Sequence, residues 1–201
     1  MKQNYILLSG IVLFWMACES PAGIQKSWSN SQQKTDSTKR FQKILFVALL
    51  KDDYTRKVAE DKLVNEVRPR GVASYNYLPN YTANADTGMI SQKLIQDGFD
   101  GIVIMRLITM NKNSVNSPGD NSSNYNSWYG YYSSTFPLYN VPGNYSPNDL
   151  YNIQTNVYSL KENKLLWTGV TTTVNISDKK IMIDKVIAAV KQNMRDQGFI
   201  K

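Results

Sequence analysis

Two pairs of adjacent acids are the side chains in this chain that could share in proton transfer, namely Asp52 with Asp53 and Glu60 with Asp61. The first pair follows an apolar run and is predicted at the carboxyl edge of a parallel sheet, where α/β proteins place ligands. The alternative is that these acids are solvated and favour a helix N-terminus through its dipole. The 201 residues include no histidine, which excludes Ser-His-Asp and Cys-His catalysis. We therefore expect no catalytic residues, no cofactor and no metal site.

The only thiol belongs to Cys18, so the chain cannot form an internal disulfide or a thiolate zinc site. Lys2 gives the chain a positive start, and an apolar run over residues 5–17 ends in the small residue Ala17. With about a dozen residues, the run is too short for a spanning helix, which needs roughly 20. The pattern predicts a signal peptide over residues 1–17.

The sequence Trp15-Met16-Ala17-Cys18 resembles the lipobox of bacterial lipoproteins, with Trp15 where leucine is typical. Such looser lipoboxes are similar to those of the Bacteroidetes. The resemblance implies cleavage before Cys18, a diacylglycerol on its thiol and an acyl group such as palmitate on its amine. Two or three acyl chains anchor durably, whereas one holds marginally. We expect a cell-envelope lipoprotein, on the outer rather than the inner membrane; the alternative is an ordinary signal peptide or an uncleaved anchor.

Residues 18–40 are predicted to be a flexible linker, because their Ser, Gln, Asn, Lys and Thr content cannot offset the entropy of ordering. Trp28 is a lone aromatic residue in this segment, expected in solvent or at the lipid interface. Asp36-Ser37-Thr38 resembles the short O-glycosylation motif of Bacteroidetes periplasmic proteins, which implies Ser37 as a candidate glycosylation site. The alternative is a plain linker serine.

An insertion over residues 111–147 is dominated by Asn, Ser, Gly and Tyr and shows neither strand alternation nor a helical period. We expect it to add little to the core. Aromatic side chains among Ser, Gly and Asn are typical of contact surfaces, and aromatic rings also stack on sugars. The candidate partner-binding residues are Trp128, Tyr129, Tyr131 and Tyr132. The alternative is a mobile loop, or tyrosines that pack back on their own domain.

The apolar periodicity elsewhere predicts the order β-α-β-α-β, long loop, β-hairpin, α. The expected fold is a single α/β domain over residues 41–201, with a mixed, three-layer-like sheet of about five strands covered by helices. Trp167 is expected in its core, and Ser177 or Asp178 as the N-cap of the last helix. The predicted strands are 43–50, 72–77, 101–107, 151–160 and 165–176, and the predicted helices are 53–68, 87–97 and 178–197.

Three short motifs within this order recur in known proteins: Lys51-Asp52-Asp53, Gly98-Phe99-Asp100-Gly101 and Leu166-Trp167. Over about residues 41–200 the chain resembles small bacterial lipoproteins of unknown function. The domain also resembles that of curli-secretion lipoproteins, activators of penicillin-binding proteins and the amino-terminal part of the Tol translocation protein. The resemblance implies a fold, and no catalytic residues come with it.

The formal net charge of +7 is compatible with anionic lipid, an acidic polymer or nucleic acid, and the export signal argues against nucleic acid. We expect a non-enzymatic, lipid-anchored accessory or assembly module that meets the membrane through acyl chains on Cys18 and binds a protein partner or itself. The alternative is a glycan-binding or glycan-modifying envelope protein that uses the loop aromatics, with Asp52 and Asp53.

Overall fold

The computed structural model describes residues 22–30, 41–50, 52–78, 87–108, 127–135, 151–173 and 178–200. The signal peptide, Cys18 and Ser37 lie outside the described residues. The elements are β1 Gly23–Ser29, β2 Ile44–Leu49, α1 Asp53–Glu66, β3 Gly71–Ala73, α2 Ser74–Tyr77, α3 Thr87–Gln96, β4 Gly101–Ile108, α4 Trp128–Thr135, β5 Tyr151–Ser159, β6 Lys164–Thr173 and α5 Lys179–Asp196.

The described strands form one mixed sheet in the order β1-β6-β5-β4-β2-β3. β2 is parallel to both β3 and β4, and the β4–β5, β5–β6 and β1–β6 pairs are antiparallel. Two crossovers connect the parallel strands: α1 leads from β2 to β3, and α2 and α3 precede β4. The expected mixed α/β sheet covered by helices is confirmed.

Helices cover both faces of the sheet, and each face has its own apolar core. Strand residues alternate between the two, so that Ile44 and Phe46 of β2 face one core and Leu45 and Val47 face the other. The first core includes apolar residues of α1 and α5, and the second includes those of α3 and α4. The helix predicted over residues 178–197 is confirmed as α5, and its buried face includes Ile183, Val186, Ile187, Val190 and Met194.

β1 corrects the prediction of a flexible linker. Residues 23–29 pair with β6, with Trp28 opposite Thr168, and Ala22 just before them is buried. The sheet therefore has six strands among the described residues, not five. The composition of this segment did not indicate a strand, because an edge strand leaves polar side chains such as Gln25 and Lys26 exposed. The backbone pairing with β6 also needs no particular residue type. Trp28 is 42% exposed, in line with the expectation of an accessible side chain, although it belongs to a strand.

α4 corrects the prediction that the insertion adds little to the core. Trp128 is 2% exposed and Tyr131 is 0% exposed, and both belong to the core formed with α3. The helix α4 has only eight residues and contains a glycine. The apolar period therefore repeats too few times to be detected in the sequence. A second difference concerns the strand predicted over residues 72–77, which ends at Ala73 and continues as α2.

Trp167 is fully buried, as predicted, and its indole lies across Gly169 on the same strand. A Cβ atom at residue 169 would lie 2.3 Å from the Trp167 ring, which is closer than real Cβ contacts come. The Trp167 Nε1 atom donates a hydrogen bond to Gln197 Oε1 over 3.1 Å, which joins the indole to the end of α5. The ring is thus fixed on two sides, and residue 169 must lack a side chain.

Replacing Gly169 with alanine should lower the free energy of unfolding by about 1–3 kcal/mol, because the added methyl group overpacks a buried ring. Gly23→Ala is the matched control, since no atom lies within 4 Å of the Cβ position there and both sites are in paired strands. Urea denaturation followed by tryptophan fluorescence measures both values. Equal stability of the two variants would contradict the described packing of Trp167.

Candidate functional site

The carboxyl ends of β2 and β4 mark the place where an α/β sheet forms a ligand crevice. β2 is followed by α1 on one face of the sheet, whereas α3 lies on the other face and leads into β4. The helices that connect these parallel strands therefore lie on opposite faces of the sheet on the two sides of the β2–β4 pair. Such a position is the topological switch point of α/β folds. The polar residues nearest this edge include Asp52, Arg56, Glu60 and Arg106.

Glu60 is the most deeply buried charged residue described, with 0% of its surface exposed. Its Oε1 atom accepts hydrogen bonds from the Ala48 backbone N–H at 3.0 Å and from Ser74 Oγ at 2.7 Å. Its Oε2 atom accepts one from the Tyr75 backbone N–H at 3.0 Å. Arg56 lies one helical turn away and donates from Nε to Oε1 over 3.2 Å. The carboxylate therefore has one cationic and three neutral donors.

The short length of β3 explains why a carboxylate is needed there. β3 pairs with β2 only as far as Phe46 opposite Ala73, so the Ala48 N–H on the same side of β2 has no strand partner. The N–H of Tyr75 likewise has no acceptor within α2, because it lies in the first turn of that helix. Glu60 accepts from both groups. These hydrogen bonds give an acceptor to two backbone N–H groups that the strands and α2 leave without one. They also occupy the acceptor positions of the carboxylate, which leaves it little capacity for proton transfer.

The pair Asp52 and Asp53 separates into two ordinary roles. Asp52 is the N-cap of α1, where its Oδ2 atom accepts from the Thr55 N–H at 3.0 Å. Hydrogen bonding from the Thr55 side chain is the main cause that lowers the pKa of Asp52, and Lys179 Nζ at 3.3 Å adds to it. Asp53 forms a surface ion pair with Lys57. The two carboxylates thus have different partners, which favours the alternative of a charged helix N-terminus.

Helix α4 contributes two tyrosine side chains near the polar residues of this edge, one beside Arg106 and one near Arg56 and Glu60. On one side, Tyr131 Oη donates to Gln154 Oε1 at 2.9 Å, and Arg106 Nε donates to the same oxygen at 3.1 Å. The Arg106 guanidinium lies 5.0 Å from the Tyr131 ring centroid. On the other side, Tyr132 lies near the Arg56 and Glu60 charges, and burial raises its pKa to about 12. Two of the protein's own tyrosine rings therefore lie among the charged residues at this edge of the sheet.

Burial divides the four candidate partner-binding residues. Trp128 and Tyr131 are core residues, so in this structure they cannot form a contact surface. Tyr129 and Tyr132 are partly buried beside the same core. The sequence did not separate the two groups, because aromatic residues are common both in cores and at interfaces.

A row of buried polar side chains on β5 and β6 was also not predicted from the sequence. Ile153 and Val157 of β5 belong to the apolar core on one face of the sheet. On the opposite face, Asn152, Gln154 and Asn156 are all buried as well. Asn156 Oδ1 accepts from Thr168 Oγ1 at 2.6 Å, so the row is hydrogen-bonded across the strands. Alternation alone cannot reveal a covered polar face, because period two is the same in both cases.

Two features of the described residues bear on ligands and membranes. No group of three or more Cys, Asp or Glu residues in these ranges is arranged to hold a metal ion. Within the same ranges, no helix combines the length and apolar character needed to cross a bilayer.

Removal of the buried carboxylate in Glu60→Ala should lower the free energy of unfolding by about 3–5 kcal/mol, because Arg56 and two backbone N–H groups lose their acceptor. Asp61→Ala is the matched control on the next residue of α1, where the carboxylate is exposed and loses only its surface hydrogen bond from the Tyr75 hydroxyl, and it should cost about 1 kcal/mol or less. Thermal and urea unfolding provide the comparison. A mild effect of Glu60→Ala would show that the backbone groups find other acceptors.

No protein-family model matches the chain, and no curated protein sequence is significantly similar to it. Among solved structures, the fold is similar to a PelC dodecamer from Paraburkholderia phytofirmans, with a TM-score of 0.42 and 6% identity over 81% of this chain and 89% of that chain. A point variant of the same dodecamer gives the same values. Similarity at this level is a weak likeness in the course of the chain, and it assigns neither a partner nor an activity.

Proposed function

We propose that this chain is a lipid-anchored accessory module of the cell envelope, which binds a protein partner and has no catalytic activity. The observation that carries this proposal is β1, an edge strand that begins five positions after Cys18. The same short stretch of chain would thus link the acyl anchor to an unpaired edge of the sheet.

The outer edge of β1 is suited to strand addition by a partner. Among the described strands only β6 pairs with β1, so within the part of the chain that the structure describes its outward N–H and C=O groups have no strand partner and can extend the sheet. Lys26 and a bulge between Ile24 and Lys26 discourage unspecific edge pairing, as natural sheets require. A second copy pairing antiparallel around Lys26 would bring like charges together, which is unfavourable. We favour a different protein, with an acidic residue opposite Lys26.

The roles of the buried and capping acids support a non-catalytic function. Glu60 accepts four hydrogen bonds within the fold, and Asp52 caps a helix. The glycan-binding alternative loses support from the burial of Trp128 and Tyr131, because stacking on a sugar requires an accessible ring face.

Cys18→Ser should abolish lipidation, since only a thiol can form the thioether to diacylglycerol. The variant should then accumulate as unprocessed precursor or as material in the aqueous phase of a detergent partition. The wild-type protein should enter the detergent phase, and mass spectrometry should show acyl groups on Cys18. Ser20→Ala is the control, because it changes a nearby hydroxyl and leaves the thiol intact. Detergent partition of Cys18→Ser like that of the wild type would rule out this anchor.

Reversing the charge of the edge strand in Lys26→Glu should reduce capture of the partner several-fold in pull-downs from crosslinked envelopes. Lys161→Glu is the matched control, because Lys161 is an exposed lysine in the turn between β5 and β6 and lies away from β1. Both variants should remain lipidated and folded. Equal capture by both variants would exclude the β1 edge, and recovery of glycan fragments in place of a stoichiometric protein would favour the alternative function.

A further inference from the structure

The topology places the N-termini of two helices at the end of the domain where the chain enters from Cys18. Gly23, the first residue of β1, pairs with Thr172 near the end of β6, and α5 begins shortly after β6. β4 also ends on this side, as its pairing of Ile108 with Asn152 near the start of β5 shows. β2 runs parallel to β4, so α1 begins at the same end.

This end carries an exposed group that includes two large apolar side chains, which we call the anchor-end patch: Tyr54, Lys179, Lys180 and Ile181. Tyr54 is 59% exposed and Ile181 is 46% exposed, although each lies in the first turn of a helix that packs its apolar face on the sheet. Lys180 Nζ lies 5.7 Å from the Tyr54 ring centroid, so the two helix starts adjoin. The patch is therefore one continuous surface formed by α1 and α5.

Among the described lysines of the patch, Lys180 is the one that no carboxylate holds in an ion pair. Asp52 contacts Lys179, Asp53 pairs with Lys57, and Asp178 accepts from the backbone at the start of α5. Lys180 forms no ion pair with a described residue, and the Tyr54 hydroxyl beside it raises the pKa of the ammonium above its usual range. The ammonium therefore stays charged throughout the physiological pH range.

Covalent geometry brings this end close to the proposed anchor. Ala22 is packed in the core, and only four peptide steps separate it from Cys18. A fully extended chain advances at most about 3.6 Å per residue, so the Cys18 Cα atom lies within about 15 Å of Ala22. A tether this short holds the nearest end of the domain at the level of the lipid headgroups.

We propose that the anchor-end patch docks the domain on the bilayer surface, with Tyr54 and Ile181 in the interface and Lys180 at the phosphates. This inference rests on the proposed lipidation of Cys18. Aromatic rings with a polar tip favour the headgroup region, an exposed aliphatic side chain gains by leaving water, and lysine extends its ammonium towards phosphate. The domain would then have a fixed orientation, with the starts of α1 and α5 facing the membrane and the β5–β6 turn facing away.

The test uses a single labelled cysteine in the lipidated full-length protein, because the Cys18 thiol is consumed by acylation. Ile181→Cys and Ile95→Cys are labelled separately with an environment-sensitive dye in vesicles of phosphatidylethanolamine and phosphatidylglycerol. Ile95 is the matched control, since it is 48% exposed and lies near the end of α3, towards the opposite end of the sheet. Lipids with a nitroxide near the headgroup serve as the quencher.

We expect strong quenching and a blue-shifted emission for the label at residue 181, and neither effect at residue 95. Adding Tyr54→Ser and Lys180→Glu to Ile181→Cys should reduce the quenching towards the control level, which separates docking by the patch from nearness imposed by the tether. Weak quenching at residue 181 in protein shown by mass spectrometry to be acylated would refute docking and leave the anchor intact. A Cys18 thiol that reacts with the dye would instead refute the lipidation on which the inference rests.

Discussion

The carboxylate of Glu60 joins three elements at a point where the backbone alone cannot satisfy its hydrogen bonds. It accepts from β2 through the Ala48 N–H, from α2 through the Tyr75 N–H and the Ser74 hydroxyl, and it belongs to α1. The short β3 strand, the turn into α2 and the seat of α1 on the sheet all depend on it. A charge removed from water is costly unless its acceptor sites are filled, and here Arg56 helps to fill them. Arg56 also donates to Ser74 over 3.2 Å, so the donors are themselves connected.

The motif Gly98-Phe99-Asp100-Gly101 has a comparable role at the other end of the sheet. Gly98 ends α3 with a φ of 83°, a conformation that favours glycine, and the Asp100 carboxylate accepts from the Gln42 and Lys43 N–H groups ahead of β2. Phe99 is buried and stacks edge-on against Tyr77 with ring centroids 4.8 Å apart. The motif thus aligns the starts of β2 and β4. This explains why such a motif carries information about the fold and none about a ligand.

The elements predicted correctly from the sequence are those whose residue pattern is compatible with only one type of secondary structure. The apolar runs of β2 and β4 are buried on both faces, and the helical period of α5, with its N-cap Asp178, is read directly from side-chain spacing. β1 and α4 were missed because the interactions that order them are distant in sequence. β1 depends on a partner strand about 140 residues away, as the pairing of Ser27 with Gly169 shows.

The candidate site shows the same limit. The pair of Glu60 and Asp61 was visible in the sequence, and adjacent residues of a helix point about 100° apart, so one acid is buried while the other is exposed. Their different environments could be assigned only once the end of β3 was known. The aromatic cluster was also visible, and burial alone decides that Trp128 belongs to the core while Tyr129 lies at its margin.

The pairing of β1 with β6 has a consequence for biogenesis. β1 is the first described strand of the chain and β6 is the last, so an emerging polypeptide presents its amino-terminal segment long before the complementary strand has been made. Ala22 can therefore reach its buried position in the core only after β6 has been made. The edge of the sheet formed by β1 is thus completed only once nearly all of the described chain has been synthesised, and the segment just ahead of the domain is fixed to the sheet at the end of folding.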